Sequence, residues 1–330
     1  MLYRPHTMFF DPEGNLYVPD RGNFAVHVYD REGAFLLRIG SQGSGPGEIV
    51  SLADAFLNEA GEVVVIDNRN LRRSFFSLAG EFLRSERLEM YEGTVIPGRP
   101  GMSPTVPGEY LRATNRDVLR NYGVLLQGDS PTGDSLLDLV EVVNAEGDIL
   151  RSWCELIEND DFRVAVLLNR ISLAYRPDGT VAVVYTYSPE ITLYDYRTGE
   201  LEMVITRETA FLPKEATLEL EHSVSADGST AVERWVPKAD KISLSAAFDP
   251  EGRLWVLTRL LDQEASEVAE SEGEWEGVLR LEIYGTDGDL QAAVPVDGRA
   301  SVIIFDPFGD LWILDAVESN TARRYSVIWP

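Results

Sequence analysis

Histidine is scarce in this 330-residue sequence, present only at positions 6, 27 and 222. A three-histidine metal site would need all three to converge. His6 instead precedes the first apolar run, His27 lies between Val26 and Val28, and His222 belongs to a polar stretch. His27, alternating with apolar neighbours, is expected on a solvent face, which leaves His6 as the one histidine placed for a site. Asp54 and Arg170 fall near comparable positions in the chain and would join it in a polar mouth for a ligand or a divalent cation such as Ca2+. A Ca2+ site asks for about six to eight oxygen ligands, and among these residues only Asp54 supplies a carboxylate. No catalytic residue and no firm cofactor is therefore assigned. His222 and Trp275 complete the candidate ligand-binding set. Trp275 sits among Asp262, Glu264, Glu267, Glu270, Glu272, Glu274 and Glu276, a solvated acidic loop in which it would be the anchor for a basic peptide or a cation.

Positions of this kind need a scaffold, and the scaffold is legible as a repeat. An apolar run, a turn closed by glycine and a second apolar run recur at Gly14, Gly61, Gly108, Gly179, Gly252 and Gly309. A second glycine turn follows at Gly33, Gly80, Gly147, Gly199 and Gly288. Glycine suits such turns because it adopts positive φ without steric cost. Six units of antiparallel strands of this length predict an all-β fold, a six-bladed β-propeller with four-stranded blades packed face to face around an axis. The expected layout is one domain over 1–330, with blades at 1–42, 50–90, 92–156, 166–207, 241–296 and 298–330. Seven residues before each first-turn glycine stand Thr7, Asp54, Gly101, Ser172, Ser245 and Val302, small or polar residues where innermost strands crowd the axis.

The quoted motifs carry a family resemblance. Gly14-Asn-Leu-Tyr-Val-Pro-Asp20-Arg-Gly-Asn23, followed by Val26-His-Val-Tyr-Asp-Arg-Glu-Gly33 and by Gly43-Ser-Gly-Pro-Gly-Glu48, resembles an NHL repeat, and the whole chain resembles bacterial six-bladed NHL-type propellers. Val65-Ile-Asp67-Asn-Arg-Asn70 repeats the motif and Ile313-Leu-Asp315 repeats part of it, whereas Tyr185 and Thr258 replace the aspartate in the fourth and fifth units. The resemblance implies the propeller fold and leaves the activity open, since propellers host enzymes, sensors and scaffolds. Asp20 with Asn23, and Asp67 with Asn70, read as turn-closing side chains rather than metal ligands. Glycines 40, 43, 45 and 47 read as a connection between blades, because no helix follows to supply a phosphate site.

Loop lengths are uneven. The two glycines of a unit are 19 residues apart in the first and second units, but 39 apart in the third and 36 in the fifth. The extra residues define insertions at 115–137 and 259–277, and a third at 206–240 joins the fourth unit to the fifth. All three are expected on one face of the disc. Pro213–His222 is expected to form a short helix capping the channel. The last unit ends after its third strand, so the outer strand of the sixth blade is expected to be missing unless the native gene begins upstream of Met1. The exposed edge invites self-association.

Composition narrows the partners. Fifty-five acidic against 29 basic residues give a net charge of −26, which opposes binding to nucleic acid. No apolar run is long enough for a membrane helix, so no membrane insertion is expected. One cysteine, Cys154, excludes an internal disulfide. No signal peptide is evident, although one would lie upstream if the start is truncated, and localisation stays open. Two functions follow: a binding or scaffold propeller that engages a protein, peptide or small molecule through the insertion-bearing face, or a metal-dependent hydrolase or lyase with its site at the channel mouth.

Overall fold

The computed structural model describes residues 2–58, 60–87, 104–106, 109–113, 138–144, 149–157, 159–224, 231–316 and 320–328. Six antiparallel sheets follow one another along the chain, each with its strands in sequence order. Blade I comprises Phe9–Phe10, Leu16–Asp20, Ala25–Tyr29 and Phe35–Ile39, and blade II comprises Leu52–Leu57, Val63–Asp67, Arg72–Phe76 and Phe82–Arg87. Blade III is built from Pro104–Val106, Glu109–Ala113, Asp138–Asn144 and Ile149–Glu155, and blade IV from Ile171–Tyr175, Thr180–Tyr185, Glu190–Asp195 and Leu201–Thr206. Blade V is Ser243–Phe248, Leu254–Arg259, Leu279–Tyr284 and Leu290–Val296; blade VI is Val302–Phe305, Leu311–Asp315 and Thr321–Tyr325.

The burial pattern explains why these sequences make blades. Every residue of Leu16–Asp20, Val63–Asp67, Thr180–Tyr185, Leu254–Arg259 and Leu311–Asp315 is buried, because a second strand has a neighbouring blade on each face and so reads as a continuous apolar run. Fourth strands such as Phe35–Ile39 and Leu201–Thr206 are mostly exposed. Core clusters lie between sheets: Tyr17, Val26 and Val28 of blade I meet Leu52, Val63 and Val65 of blade II. Met8, Leu16 and Val18 meet Trp312 and Leu314 of blade VI, so the first and last sheets pack together.

The first turn of three blades is held by one device. Asp11 accepts the Asn15 amide at 2.8 Å and the Tyr17 hydroxyl at 3.2 Å. Asp249 accepts the Arg253 amide at 2.8 Å and Trp255 Nε1 at 2.9 Å. Asp306 does the same for the Asp310 amide at 3.0 Å and Trp312 Nε1 at 3.1 Å. Gly14, Gly252 and Gly309 close these turns at φ +86, +83 and +89.

Three expectations are corrected, and one element is new. Pro213–His222 is not a helix: Thr217–Val224 pairs with Ala231–Lys238 as an antiparallel hairpin. The alternation Leu218-Glu-Leu220-Glu has the two-residue period of a strand, and Pro213 lies before it. The acidic 259–277 insertion is not simply a loop: Gln263–Glu272 is a helix, here α2, with Asp262 accepting the Ala265 amide at 2.8 Å at its start. A helix absent from the sequence reading, α1 at Phe162–Leu168, starts at Asp161, whose carboxylate accepts the Arg163 amide. His27 is buried, only 8% exposed, because both faces of blade I near the rim are covered and the Phe35 ring lies 6.1 Å from its own. Burial holds the His27 pKa below its ordinary value.

The 115–137 insertion lies outside the described residues. In blade VI, no described strand lies beyond Thr321–Tyr325, and Pro5 bridges to Asp20 of blade I rather than to that edge.

Candidate functional site

At the axis, the first strands of blades I and II, of IV and V and of V and VI touch. His6 Nε2 lies 3.8 Å from Asp54 Oδ1, and both side chains are almost wholly buried. The structure therefore brings together two of the five predicted site residues. The same Asp54 oxygen accepts the Ala55 amide at 2.8 Å. Ser172 Oγ accepts the Ala246 amide at 3.2 Å and Ser245 Oγ accepts the Ile303 amide at 3.1 Å. These serines are staples from one blade to the next, which is a structural use of the small polar positions. Gly101 lies outside the described residues. Among the described residues no group of three or more His, Cys, Asp or Glu could hold a metal ion. One buried carboxylate already engaged by an amide does not fit the oxygen shell of Ca2+.

The other three predicted residues lie elsewhere. Arg170 reaches the Tyr187 hydroxyl at 3.5 Å. His222 is in the hairpin strand Thr217–Val224, in register with Glu233. Trp275 is half-buried, packed on the core between blades V and VI with the Arg299 guanidinium 4.4 Å above its ring. It is a plug beneath the insertion.

The insertions are built into the scaffold by groups the sequence did not advertise. Asp240 is buried and its two oxygens accept the Lys214 amide at 2.8 Å and the Gln263 amide at 2.9 Å. One carboxylate thus clasps the segment leading into the hairpin and the start of α2. Lys214 Nζ pairs with Glu264 at 3.1 Å and Lys238 with Glu221 at 2.9 Å; the hydrogen bond to Glu221 holds the Lys238 pKa above its ordinary value. Helix α1 packs against the strand Ala231–Lys238.

At the rim, Arg207 crosses from the end of blade IV into blade V. Its guanidinium donates to Glu282 Oε2 at 3.1 Å, to Thr258 Oγ1 at 3.1 Å, to the Pro189 carbonyl at 2.8 Å and to Ser243 Oγ. Glu282, 1% exposed, also accepts the Tyr284 hydroxyl at 2.8 Å and Arg280 Nε at 2.9 Å. Burial opposes ionisation of Glu282, but the Arg207 charge and the Tyr284 and Arg280 hydrogen bonds outweigh it and hold the carboxyl below its ordinary range. Thr258 occupies the position that aspartate takes in blades I and II, six residues after the turn glycine. That departure from the repeat is the one sequence signal that pointed to this network.

The insertions also present apolar groups to solvent. Leu220 and Trp235 are directly opposed in the hairpin, and Trp235 is 53% exposed, Leu212 92% and Val268 of α2 55%.

Six repeated sheets closed around an axis define a six-bladed β-propeller. Residues 8–100 match the DUF5128 family, described as a 6-bladed beta-propeller. The fold is shared with a member of the DUF4221 family from Bacteroides vulgatus, at 10% identity, 94% coverage of this chain, 87% of that one and a TM-score of 0.55. It is shared also with a protein titled calcium-binding regucalcin from Agrobacterium tumefaciens, at 14% identity, 97% and 84% coverage and a TM-score of 0.51. A gluconolactonase from Xanthomonas campestris aligns at 15% identity over 95% of this chain and 83% of that one, with a TM-score of 0.49. No curated protein matches the chain.

Proposed function

We propose that this propeller is a binding module that engages a protein or peptide partner through the hairpin and α2 on its insertion-bearing face. The observation that carries this reading is the exposed Trp235–Leu220 pair, raised on a hairpin whose base is clasped to α2 by Asp240. A rigidly mounted aromatic with an aliphatic neighbour is the usual composition of an interface hot spot, and functional residues concentrate on loops held by a stiff scaffold. Leu212 and Val268 extend the apolar surface available to a partner.

The test compares three immobilised baits: the wild-type chain, the double variant Trp235→Ser with Leu220→Ser, and Asp54→Ala. Proteins retained by wild type and Asp54→Ala but lost by the double variant are the expected result. Retention that depends on Asp54 and ignores Trp235 would overturn it. Calorimetric titration of wild type and Asp54→Ala with Ca2+, Mg2+ and Zn2+ separates the metal-dependent hydrolase or lyase, which requires heat in the first and none in the second.

A further inference from the structure

The exposed apolar groups of α2 and of the segment leading into the hairpin stand in an acidic setting, and that setting indicates what would cover them. Val268 of α2 is exposed, with Glu264 and Glu272 four residues to either side, so both carboxylates share its face of the helix. The exposed Leu212 is held close to the start of α2. Two residues after it, the Lys214 amide shares Asp240 with the Gln263 amide, and Lys214 Nζ reaches Glu264 at 3.1 Å. Residues 262–276 include seven acidic and no basic ones, and Glu264, Glu267, Glu272, Glu274 and Glu276 are all exposed.

The last turn of α2 is an unfavourable place for an acid. A helix ends on unpaired carbonyls, a partial negative charge that favours Lys, Arg or His nearby. Here the helix ends at Glu272, Gly273 closes it at φ +73, and the Glu274 amide returns to the Ala269 carbonyl at 2.9 Å. Glu272 and Glu274 therefore add full charges to a terminus that is already negative. A cation placed there relieves both.

The protein's own ammonium groups mark the same field. Its three lysines are Lys214, Lys238 and Lys241, and the first two lie at this face. The hydrogen bond to Glu264, then the charges of Glu264, Asp262 and Asp240, hold the Lys214 pKa above its ordinary value. Lys238 is raised by its hydrogen bond to Glu221, then by the charges of Glu221, of Glu267 from α2 and of Glu219 from the hairpin. Each lysine is outnumbered by the carboxylates around it. The Arg299 guanidinium over Trp275 adds a third cation, and the five exposed carboxylates of 262–276 with Glu219 and Glu221 still leave the face negative. Such a face repels phosphate, and with it nucleic acid and anionic lipid. A small polyamine would answer the charge and leave Val268 and Leu212 uncovered. Building on the binding reading above, we infer that the partner docks a basic amphipathic segment on this face, its apolar side chains covering Val268 and Leu212 while its Lys or Arg side chains reach Glu267, Glu272 and the end of α2.

The probe is a fluorescent amphipathic peptide of lysine and leucine, titrated into the full chain by polarisation while amide exchange is followed along Gln263–Glu272. Spermine and an analogue with glutamate in place of every lysine serve as competitors. Three double variants are compared with wild type: Leu212→Ser with Val268→Ser, Glu267→Gln with Glu272→Gln, and Glu13→Gln with Glu32→Gln. The last pair is exposed in the two glycine turns of blade I and changes the net charge by the same amount. The expected result is saturable binding with slowed exchange in α2. Affinity should fall about tenfold for the apolar pair and about fivefold for the α2 glutamates, and stay unchanged for the blade I pair. Equal weakening by the blade I pair would assign the attraction to the overall charge of −26 and overturn the proposal. Displacement by spermine at equal concentration, or binding of the acidic analogue, overturns it as well. The bait experiment separates this outcome from failure of the binding reading. Proteins lost with Trp235→Ser and Leu220→Ser but kept by Glu267→Gln with Glu272→Gln leave the binding face standing and overturn its basic occupant, whereas retention that follows Asp54 removes the face itself.

Discussion

The junction between blades IV and V and the junction between blades VI and I are made by the same kind of residue in opposite states. At the first, Arg207 is buried and bonded to Glu282, Thr258, Ser243 and the Pro189 carbonyl. At the second, Arg324 is exposed and reaches across to the Arg31 carbonyl and to Asp310, and among the described residues blade VI has three strands. The inner halves of both junctions are closed by apolar packing, Val184, Ile191 and Leu254 in one case and Val18, Trp312 and Leu314 in the other. The difference lies at the rim. The arginine is a buried latch at one junction and an exposed tie at the other.

Breaking the buried latch has the largest expected effect. Arg207→Ala leaves Glu282 ionised and buried without its main counter-charge, and chemical denaturation should show a loss of about 3–5 kcal/mol. Arg207→Met combined with Glu282→Leu removes both charges and should recover most of it. Arg324→Ala, at the exposed junction, should cost under about 1 kcal/mol in the same assay. A loss at Arg324 equal to that at Arg207 would erase the distinction between the two junctions.

Next in size is the contrast between two tryptophans. Trp275→Ala removes a ring packed on the blade V–VI core and should destabilise by about 2–3 kcal/mol, somewhat below a full core truncation. Trp235→Ala removes an exposed ring and should stay within about 0.5 kcal/mol while abolishing partner retention.

The smallest effect is a pH dependence. The folded-state pKa of Glu282 lies below its unfolded value of 4.5. The stability this contributes is present above pH 4.5 and is lost as pH falls through the lower folded value. Urea titrations of wild type and Glu282→Gln should therefore converge as the pH is lowered below 4.5, whereas a variant at Asp310 of the exposed junction changes less because its neighbourhood is more exposed.

Local chemistry was the legible part of this fold. Gly14, Gly61, Gly179, Gly252 and Gly309 all adopt positive φ, and each announced its turn because the requirement sits within a few residues. Asp20 and Asp67 with their asparagines likewise close turns, as the Asn23 and Asn70 side chains donate to them at 2.7 and 2.8 Å. The long-range parts were not legible. Arg207 and Glu282 are 75 residues apart, and nothing near either one names the other. Trp275 looked like an anchor because Arg299, which covers it, comes from a later connection. His27 looked exposed by alternation, a rule that fails in a blade covered on both faces. Pro213–His222 reads as a helix from the proline at its start, while the two-residue apolar period of Leu218 and Leu220 decides for the hairpin strand Thr217–Val224. At the axis, His6 and Asp54 do meet; Arg170, His222 and Trp275 do not join them.

Asp20 and Asp67 have a further consequence, for the order in which the chain assembles. Asp20 accepts the Tyr3 and Arg4 amides at 2.6 and 2.8 Å, and Asp67 accepts the Val50 and Ser51 amides at 2.9 and 3.0 Å, besides closing their own turns. Each carboxylate therefore ties the segment entering the blade to the turn between that blade's second and third strands. The separations are only 16 and 17 residues, short enough to form early in folding. Each of the first two blades thus fastens its own incoming segment through contacts local to that blade, independently of the rest of the ring.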